Sequence, residues 1–276
     1  GITTINRMFS GCTGLTTATL QNILGSTAAP SLADTWNGCR WYNVSVNFNY
    51  VFYNNFNLTS LTLTNIGTNG APYFYQFIYM CPKLTTLTLN NVASNTTYGT
   101  QTYMMFCHIP HLRTLNMSNS FNGPYTLTRY LFYYLPYVSN MTVKNCFNGN
   151  YSHYYYTWHY VFCDRTQTNT LILDNCFKGA STNARYSIVN CMALDNLTMT
   201  SVGTGTNALL GRFTVACYGL KNVTATNVGT GASAEMYQFF YQAGISTNYN
   251  YNDYNYGLEG NIYSVITNNS NPTDFT

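Results

Sequence analysis

Apolar residues recur along the chain in two alternating patterns. The first has period two. LTSLTLTNI at 58–66 returns as LTTLTLNNV at 84–92, with weaker copies LTTATLQNI at 15–23, LRTLNMSNS at 112–120 and VSNMTVKNC at 138–146. TNTLILDNC at 168–176, LDNLTMTSV at 194–202 and LKNVTATNV at 220–228 complete the set. The shared frame is L-x-x-L-x-L-x-N-x, and from Leu58 onward its starts lie 26, 28, 26, 30, 26 and 26 residues apart. Self-similarity at such a period is the mark of a solenoid, in which each unit buries its apolar side against its neighbours. Side chains alternate across a strand. Leu61 and Leu63, Leu87 and Leu89, Leu115 and Met117, and Leu197 and Met199 are therefore expected to point inward.

A polar residue keeps the same register: Asn22, Asn65, Asn91, Asn119, Asn145, Asn175 and Asn227, with Ser201 the exception. Stacking these residues makes a ladder at the turn that leaves the sheet. Their amides are expected to satisfy backbone groups there, which need partners when buried.

The second pattern precedes each strand. A Phe or Ile stands six residues before the strand start at Phe9, Phe52, Ile78, Phe106, Phe132, Phe162 and Ile188, shifting by one at Phe213. Segments such as YFYQFIYMC and TYMMFCHI surround it, and Gly, Asn and Thr before them supply turn and N-cap chemistry. This reads as one to two turns of helix. The expected fold is α/β, a leucine-rich-repeat solenoid with a parallel β-sheet on one face and short helices on the other. Residues 1–276 form a single solenoid on this reading. The gap of 43 between Leu15 and Leu58 places an insertion or degenerate repeat at 24–57, which holds Trp36, Cys39 and Trp41. Residues 245–276, where the leucines are lost, are expected to form a C-terminal cap.

MFSGCTGLTTATL at 8–20 carries a Phe-x-x-Cys-x-x-Leu start in Phe9, Cys12 and Leu15. In this it resembles the BspA-like leucine-rich-repeat surface proteins, whose units run to about 26 residues. The likeness covers about residues 5–252 and weakens where Leu135 and Arg165 replace the Cys. It implies a secreted or cell-surface protein that binds host or matrix partners; similar repeats occur in phage-encoded proteins.

Composition narrows the function. Charged residues are only 7% of the chain and the net charge is +3, without a Lys/Arg cluster. Nucleic-acid binding, which needs basic patches, is not expected. No apolar run reaches the roughly 18 residues of a membrane span. The polar surface must come from neutral groups, and 37 Asn and 27 Tyr help supply it. The mature product of a longer precursor would begin as this chain does, at Gly1, and so would a fragment.

No catalytic constellation emerges. The acidic residues are scattered, and GTGTN and GTGAS after two strands are turns without the strand–GxxxxGK–helix context. An enzyme, a cofactor and a metal are not expected. Cys107, His108 and His111 in CHIPH make at most a partial zinc set. Cys12, Cys81, Cys191 and Cys217, with Cys107 and Cys163, hold repeat positions that face a core. Cys146 and Cys176 end adjacent strands, close enough to consider a disulfide.

Two surfaces are candidates for binding. The outward strand positions are Thr62, Thr64, Thr86, Thr88, Thr114, Asn116, Asn140, Thr142, Asn196, Thr198, Thr200, Thr224 and Thr226. A parallel sheet would array them about 4.8 Å apart. The other candidate is aromatic: Tyr154, Tyr155, Tyr156 and Trp158, with YNYNDYNY following at 249–256. Tyr combines a rigid ring with a hydroxyl, which suits interfaces. These features lead to an extracellular recognition or adhesion module, on a cell or virion surface, that binds a protein or glycan on a host or neighbouring cell. The competing expectation is a structural subunit that self-associates into a filament, coat or virion fibre.

Overall fold

A computed structural model describes residues 4–23, 32–36, 39–42, 46–94, 97–244 and 264–267, with backbone alone for 32–36, 39–42 and 264–267. Among these residues the chain winds as a β-solenoid with three parallel sheets and no helix. The longest, here the threonine sheet, orders Thr17–Gln21, Ser60–Ile66, Thr86–Val92, Thr114–Ser118, Asn140–Lys144, Thr170–Asp174, Asn196–Thr200, Asn222–Thr226 and Ser264–Thr267. The aromatic sheet runs from Phe52–Tyr53 through Ile78–Tyr79, Phe106–Cys107, Phe132–Leu135, Trp158–Val161, Ile188–Val189 and Thr214–Val215 to Phe240–Tyr241. The short sheet joins Val46–Asn47, Pro72–Tyr75, Gln101–Tyr103, Leu127–Arg129 and His153–Tyr155. Single bridges continue it from His153 to Asn183, Leu209 and Glu235.

The helices expected on the outer face are therefore wrong, and the apolar spacing shows why. Phe74, Phe77, Ile78 and Cys81 are all buried. They stand at i, i+3, i+4 and i+7, the signature of one helical face. The same pattern arises from two short strands joined at a corner. Pro72–Tyr75 ends at Gln76, whose φ of 45° turns the chain into Ile78–Tyr79. Both arms then face the core. Leu131, Phe132 and Leu135 repeat the arrangement one coil along from Met105, Phe106 and Ile109. The backbone hydrogen bonds leave no doubt about the winding: Gln76 N donates to Tyr103 O at 3.3 Å and Ile78 N to Met105 O at 2.9 Å, each in the next coil. Tyr, Phe and Ile also favour strands.

The inward leucines behave as expected. Leu61, Leu63, Leu87, Leu89, Leu115, Met117, Leu197 and Met199 are buried. The Phe register needs one correction. Trp158, not Phe162, pairs with Phe132 and Ile188. The 30-residue coil carries its four extra residues between Trp158 and Thr170, so counting back from the strand start misses the ring by four. Phe162 is buried all the same.

The Asn positions do stack. Asn65 Nδ2 donates to Asn22 Oδ1 at 2.8 Å, Asn91 to Asn65 at 2.9 Å and Asn145 to Asn119 at 3.3 Å. Asn119 itself turns to Asn90 Oδ1. The expected partner was a backbone group; in these pairs each amide bonds another amide instead. The backbone supplies a second reason for Asn. These residues lie at φ of 51–58°, the left-handed region, where Asn is among the better tolerated side chains. Nearby, Gly205 and Gly231 are fixed by close approach. A Cβ on Gly231 would lie 2.0 Å from Gly205 O in the adjacent coil, and one on Gly205 2.2 Å from Gly179 O.

Within 24–57, Leu32–Trp36 and Cys39–Tyr42 pair antiparallel, whereas Val46–Asn47 and Phe52–Tyr53 already belong to the parallel coils. The cap expected at 245–276 lies outside the described residues except for Ser264–Thr267, which forms the rung beside Asn222–Thr226. The Tyr-rich stretch at 249–256 lies outside them as well.

Candidate binding surfaces

On the threonine sheet, register gathers the outward positions into three rows. One runs Thr62, Thr88, Asn116, Thr142, Ile172, Thr198, Thr224. A second runs Ser60, Thr86, Thr114, Asn140, Thr170, Asn196, Asn222, and the third Thr64, Asn90, Ser118, Lys144, Asp174, Thr200, Thr226. Every one of these residues is half-buried or exposed. Opposite charges sit side by side in the third row, where Lys144 Nζ and Asp174 Oδ2 pair at 3.1 Å, so the rows carry no net charge. Some polar groups pair along the axis: Ser118 Oγ with Asn90 Oδ1 at 3.1 Å, and Asn222 Nδ2 to Asn196 Oδ1 at 2.8 Å. Thirteen residues of these rows were legible from the repeat. The other eight, Ser60, Asn90, Ser118, Lys144, Thr170, Ile172, Asp174 and Asn222, were missed, although they occupy the same frame and strict counting from the Leu would have found them.

The aromatic candidates separate. Tyr154 and Trp158 are core residues, fully buried, and cannot serve as a surface. Tyr154 donates its hydroxyl to Phe121 O at 3.0 Å, and Trp158 Nε1 lies 2.8 Å from Met141 Sδ. Both sit where the double-strand corner pattern turns a side chain inward. Tyr155 and Tyr156 do reach the surface, half-buried. Tyr156 belongs to a ladder of rings along the solenoid edge. It stacks on Tyr130 with centroids 5.0 Å apart and planes 9° apart, and on Tyr186 at 6.3 Å. Tyr75 stacks on Tyr103 at 5.9 Å, and Tyr53 on Tyr79 at 5.5 Å. Rings stacked along the axis give their faces to one another and turn edges and hydroxyls outward.

Burial sets the titrating groups of this edge. It raises Tyr50 to about 12, with help from the hydrogen bond to Tyr75, and raises Tyr130 as well. It lowers His159 from 6.5 to about 4 and lowers His108 and His153. Burial thus favours the neutral forms of Tyr50, Tyr130 and His159.

Among the described residues the thiols are buried or half-buried and unpaired. Cys146 and Cys176 are both free; Cys146 Sγ donates to Lys144 O at 3.1 Å and Cys176 Sγ to Asp174 O at 3.3 Å. Burial raises Cys81 to about 11 and Cys107 and Cys176 to about 12, which leaves little thiolate for reaction. Cys107 is in the core, His108 is set edge-on to Tyr79 and His111 stacks on Tyr137. Among the described residues no group of three or more His, Cys, Asp and Glu is placed to hold a metal ion, and no helix is long and apolar enough to cross a membrane.

No family model, curated protein or solved structure matches this chain.

Proposed function

We propose that the chain is a non-catalytic extracellular recognition module, displayed on a cell or virion surface, that binds a protein or glycan through the threonine sheet. The observation that carries this reading is the set of three outward rows on one parallel sheet, made of short, neutral, hydrogen-bonding side chains apart from Ile172 and the Lys144–Asp174 pair. Strands about 4.8 Å apart repeat similar donors and acceptors along the axis, so an extended partner meets similar chemistry at most rungs. Thr suits such a surface because its β-branch stiffens χ1 and little side-chain entropy remains to be lost on binding. The resemblance of Phe9, Cys12 and Leu15 to BspA-like repeat starts points to the same kind of role.

The test is a screen of the purified chain on a glycan array and on a panel of extracellular-matrix proteins, with the double variant Thr88→Lys, Thr142→Lys beside it. These residues flank Asn116 in the central row. A partner of the sheet loses at least tenfold in affinity, about 1.4 kcal/mol, when two cations are set there. A partner bound equally well by the variant places recognition elsewhere.

Self-association is a second reading, favoured by one observation. The first coil is only half-covered: Phe9, Leu15, Ala18, Leu20 and Ile23 pack on the core yet remain partly exposed. An end rung of this kind can template a further strand. Electron microscopy of the dilute chain distinguishes the two. Fibres with a regular axial repeat support assembly, and single particles sink it.

A further inference from the structure

The short sheet carries a recess of about 330 Å³ with a mixed lining of Tyr151, His153, Tyr155, Ser181, Asn183 and Arg185 with Leu209. Its origin lies in the end of a second ring stack, formed by Tyr125 and Tyr151. Tyr125, Tyr151, Ser181 and Asn207 hold equivalent left-handed positions in successive coils. Tyr125 and Tyr151 stack at 5.7 Å with planes 13° apart. At the next rung Ser181 replaces the ring, and the missing volume opens the recess.

The floor is built before any ligand arrives. Asn183 and His153 are each 7% exposed. Asn183 Nδ2 donates to the Tyr155 hydroxyl at 2.9 Å, His153 Nδ1 shares a hydrogen bond with that hydroxyl at 3.0 Å, and Asn183 Oδ1 accepts from Arg185 N at 3.2 Å. These bonds hold the side chains in place, which reduces the ordering cost of binding. The apolar part of the wall comes from Leu209 and from Tyr151, which is 46% exposed.

At the rim, Arg185 reaches two rungs along the axis to pair with Glu235. It passes over Gly211, where a Cβ would come within 3.0 Å of the Glu235 carboxylate. A second recess of about 210 Å³ shares Arg185 with the first and is lined also by Tyr186, Gly211, Arg212, Glu235 and Tyr237. Arg212 is engaged by its own neighbours: Nε donates to Gln238 Oε1 at 2.7 Å and the guanidinium lies 4.7 Å from the Tyr241 ring centre.

We propose that these two recesses are adjoining subsites for a neutral oligosaccharide, with the Arg185–Glu235 pair reading a vicinal diol between them. A diol needs donors and acceptors side by side. The guanidinium donates to one hydroxyl oxygen and the carboxylate accepts a proton from its neighbour. The pair cancels its own charge, so it adds no net attraction for an acidic ring. The volume of the first recess falls at the small end of ligand pockets, about 300–1,000 Å³, the size for a single sugar ring. The site stands on a different sheet from the threonine rows, and its success or failure is independent of theirs.

The test uses saturation-transfer NMR on the whole chain with cellobiose, maltose, lactose and diacetylchitobiose, and digalacturonate as the acidic comparison. At least one neutral disaccharide is expected to bind saturably at millimolar concentration or below. Ser181→Tyr continues the existing ring stack into the recess, at a φ that Tyr125 and Tyr151 already adopt. It should weaken that binding at least tenfold while the melting temperature holds or rises. Glu235→Gln, a change on the surface, should weaken it several-fold without unfolding the chain. No saturable binding by any neutral disaccharide overturns the proposal. So does binding that survives both variants, or a preference for the acidic sugar.

Discussion

The threonine sheet and the aromatic edge are built by the same stacking of coils, yet they use their outward side chains differently. Along the edge, Tyr130 touches Tyr103, Tyr133, Tyr156 and His159, all with ring centres within 5.8 Å. The aromatic surface is spent largely within the molecule. On the threonine sheet the side chains are short and the rungs are held by the backbone ladder, so hydroxyls and amides remain in position to meet a partner. A repeat can therefore place the same residue at every rung either as internal stabiliser or as external reader. Side-chain size decides which: rings bridge the 4.8 Å between rungs with contact area, and a Thr does not.

The largest effect belongs to the aromatic region's inner side. Trp158→Ala removes a fully buried ring beside Phe132, Phe147 and Phe177. The cost is about 3–5 kcal/mol, transfer term plus cavity. In a solenoid, coils contact only their neighbours, so hydrogen exchange should show the loss centred on the adjacent coils. An unchanged melting temperature would mean that Trp158 is not core. Tyr130→Ala comes next, at about 1–2 kcal/mol, since ring pairs contribute about 0.5–1.5 kcal/mol each beyond burial and this ring is part-exposed. Denaturant melts check it. A loss below about 0.5 kcal/mol would end the claim that the edge stabilises itself.

A pH effect follows in size. Folded His159 titrates near 4 while the unfolded chain's His titrates at 6.5. Below pH 6.5 the unfolded state takes up a proton that the folded state refuses. Stability is therefore complete above pH 6.5 and falls as pH drops toward 4. His108 and His153 are lowered by burial and act in the same direction. Discounted for partial exposure, the His159 contribution is on the order of 1 kcal/mol. With only 8 Asp and Glu in the chain, carboxylate titration has little to add. Melting curves at pH 7 and pH 4.5 should differ by several degrees, and His159→Phe should reduce the difference. Equal curves for the two proteins would assign the acid sensitivity to other groups.

The sequence was informative where a residue's role repeats and misleading where two geometries share one spacing. Leu87 and Leu89, and the Asn65–Asn91 pair, could be read because register alone fixes them. The corner at Gln76 could not, because Phe74, Phe77, Ile78 and Cys81 satisfy a helix and a bent double strand equally. Tyr154 and Trp158 were misplaced on the surface although their spacing spoke against it: with Thr157 and Val161 they repeat the i, i+3, i+4, i+7 pattern of Phe74 to Cys81, which turns inward in a helix and in the corner alike. The recess at Asn183 was hidden differently. It arises from what is absent at Ser181 and Gly211, and the significance of a small residue appears only beside the rings of neighbouring coils.

The smallest expected effect sharpens the comparison most. Thr88→Val and Thr142→Val keep the β-branch, the χ1 stiffness and the strand preference, and remove only a hydroxyl from the outward row. If the threonine hydroxyls are an outward-facing array, each change should alter stability by less than about 0.5 kcal/mol. If instead they bond along the axis as the Asn65–Asn91 amides do, each loss should cost about 1 kcal/mol. Denaturant melts of the two variants beside Tyr130→Ala separate these cases. Near-wild-type stability for the Val variants, with a clear loss for Tyr130→Ala, would place the stabilising side-chain ladder on the aromatic edge and leave the threonine sheet free to read a partner.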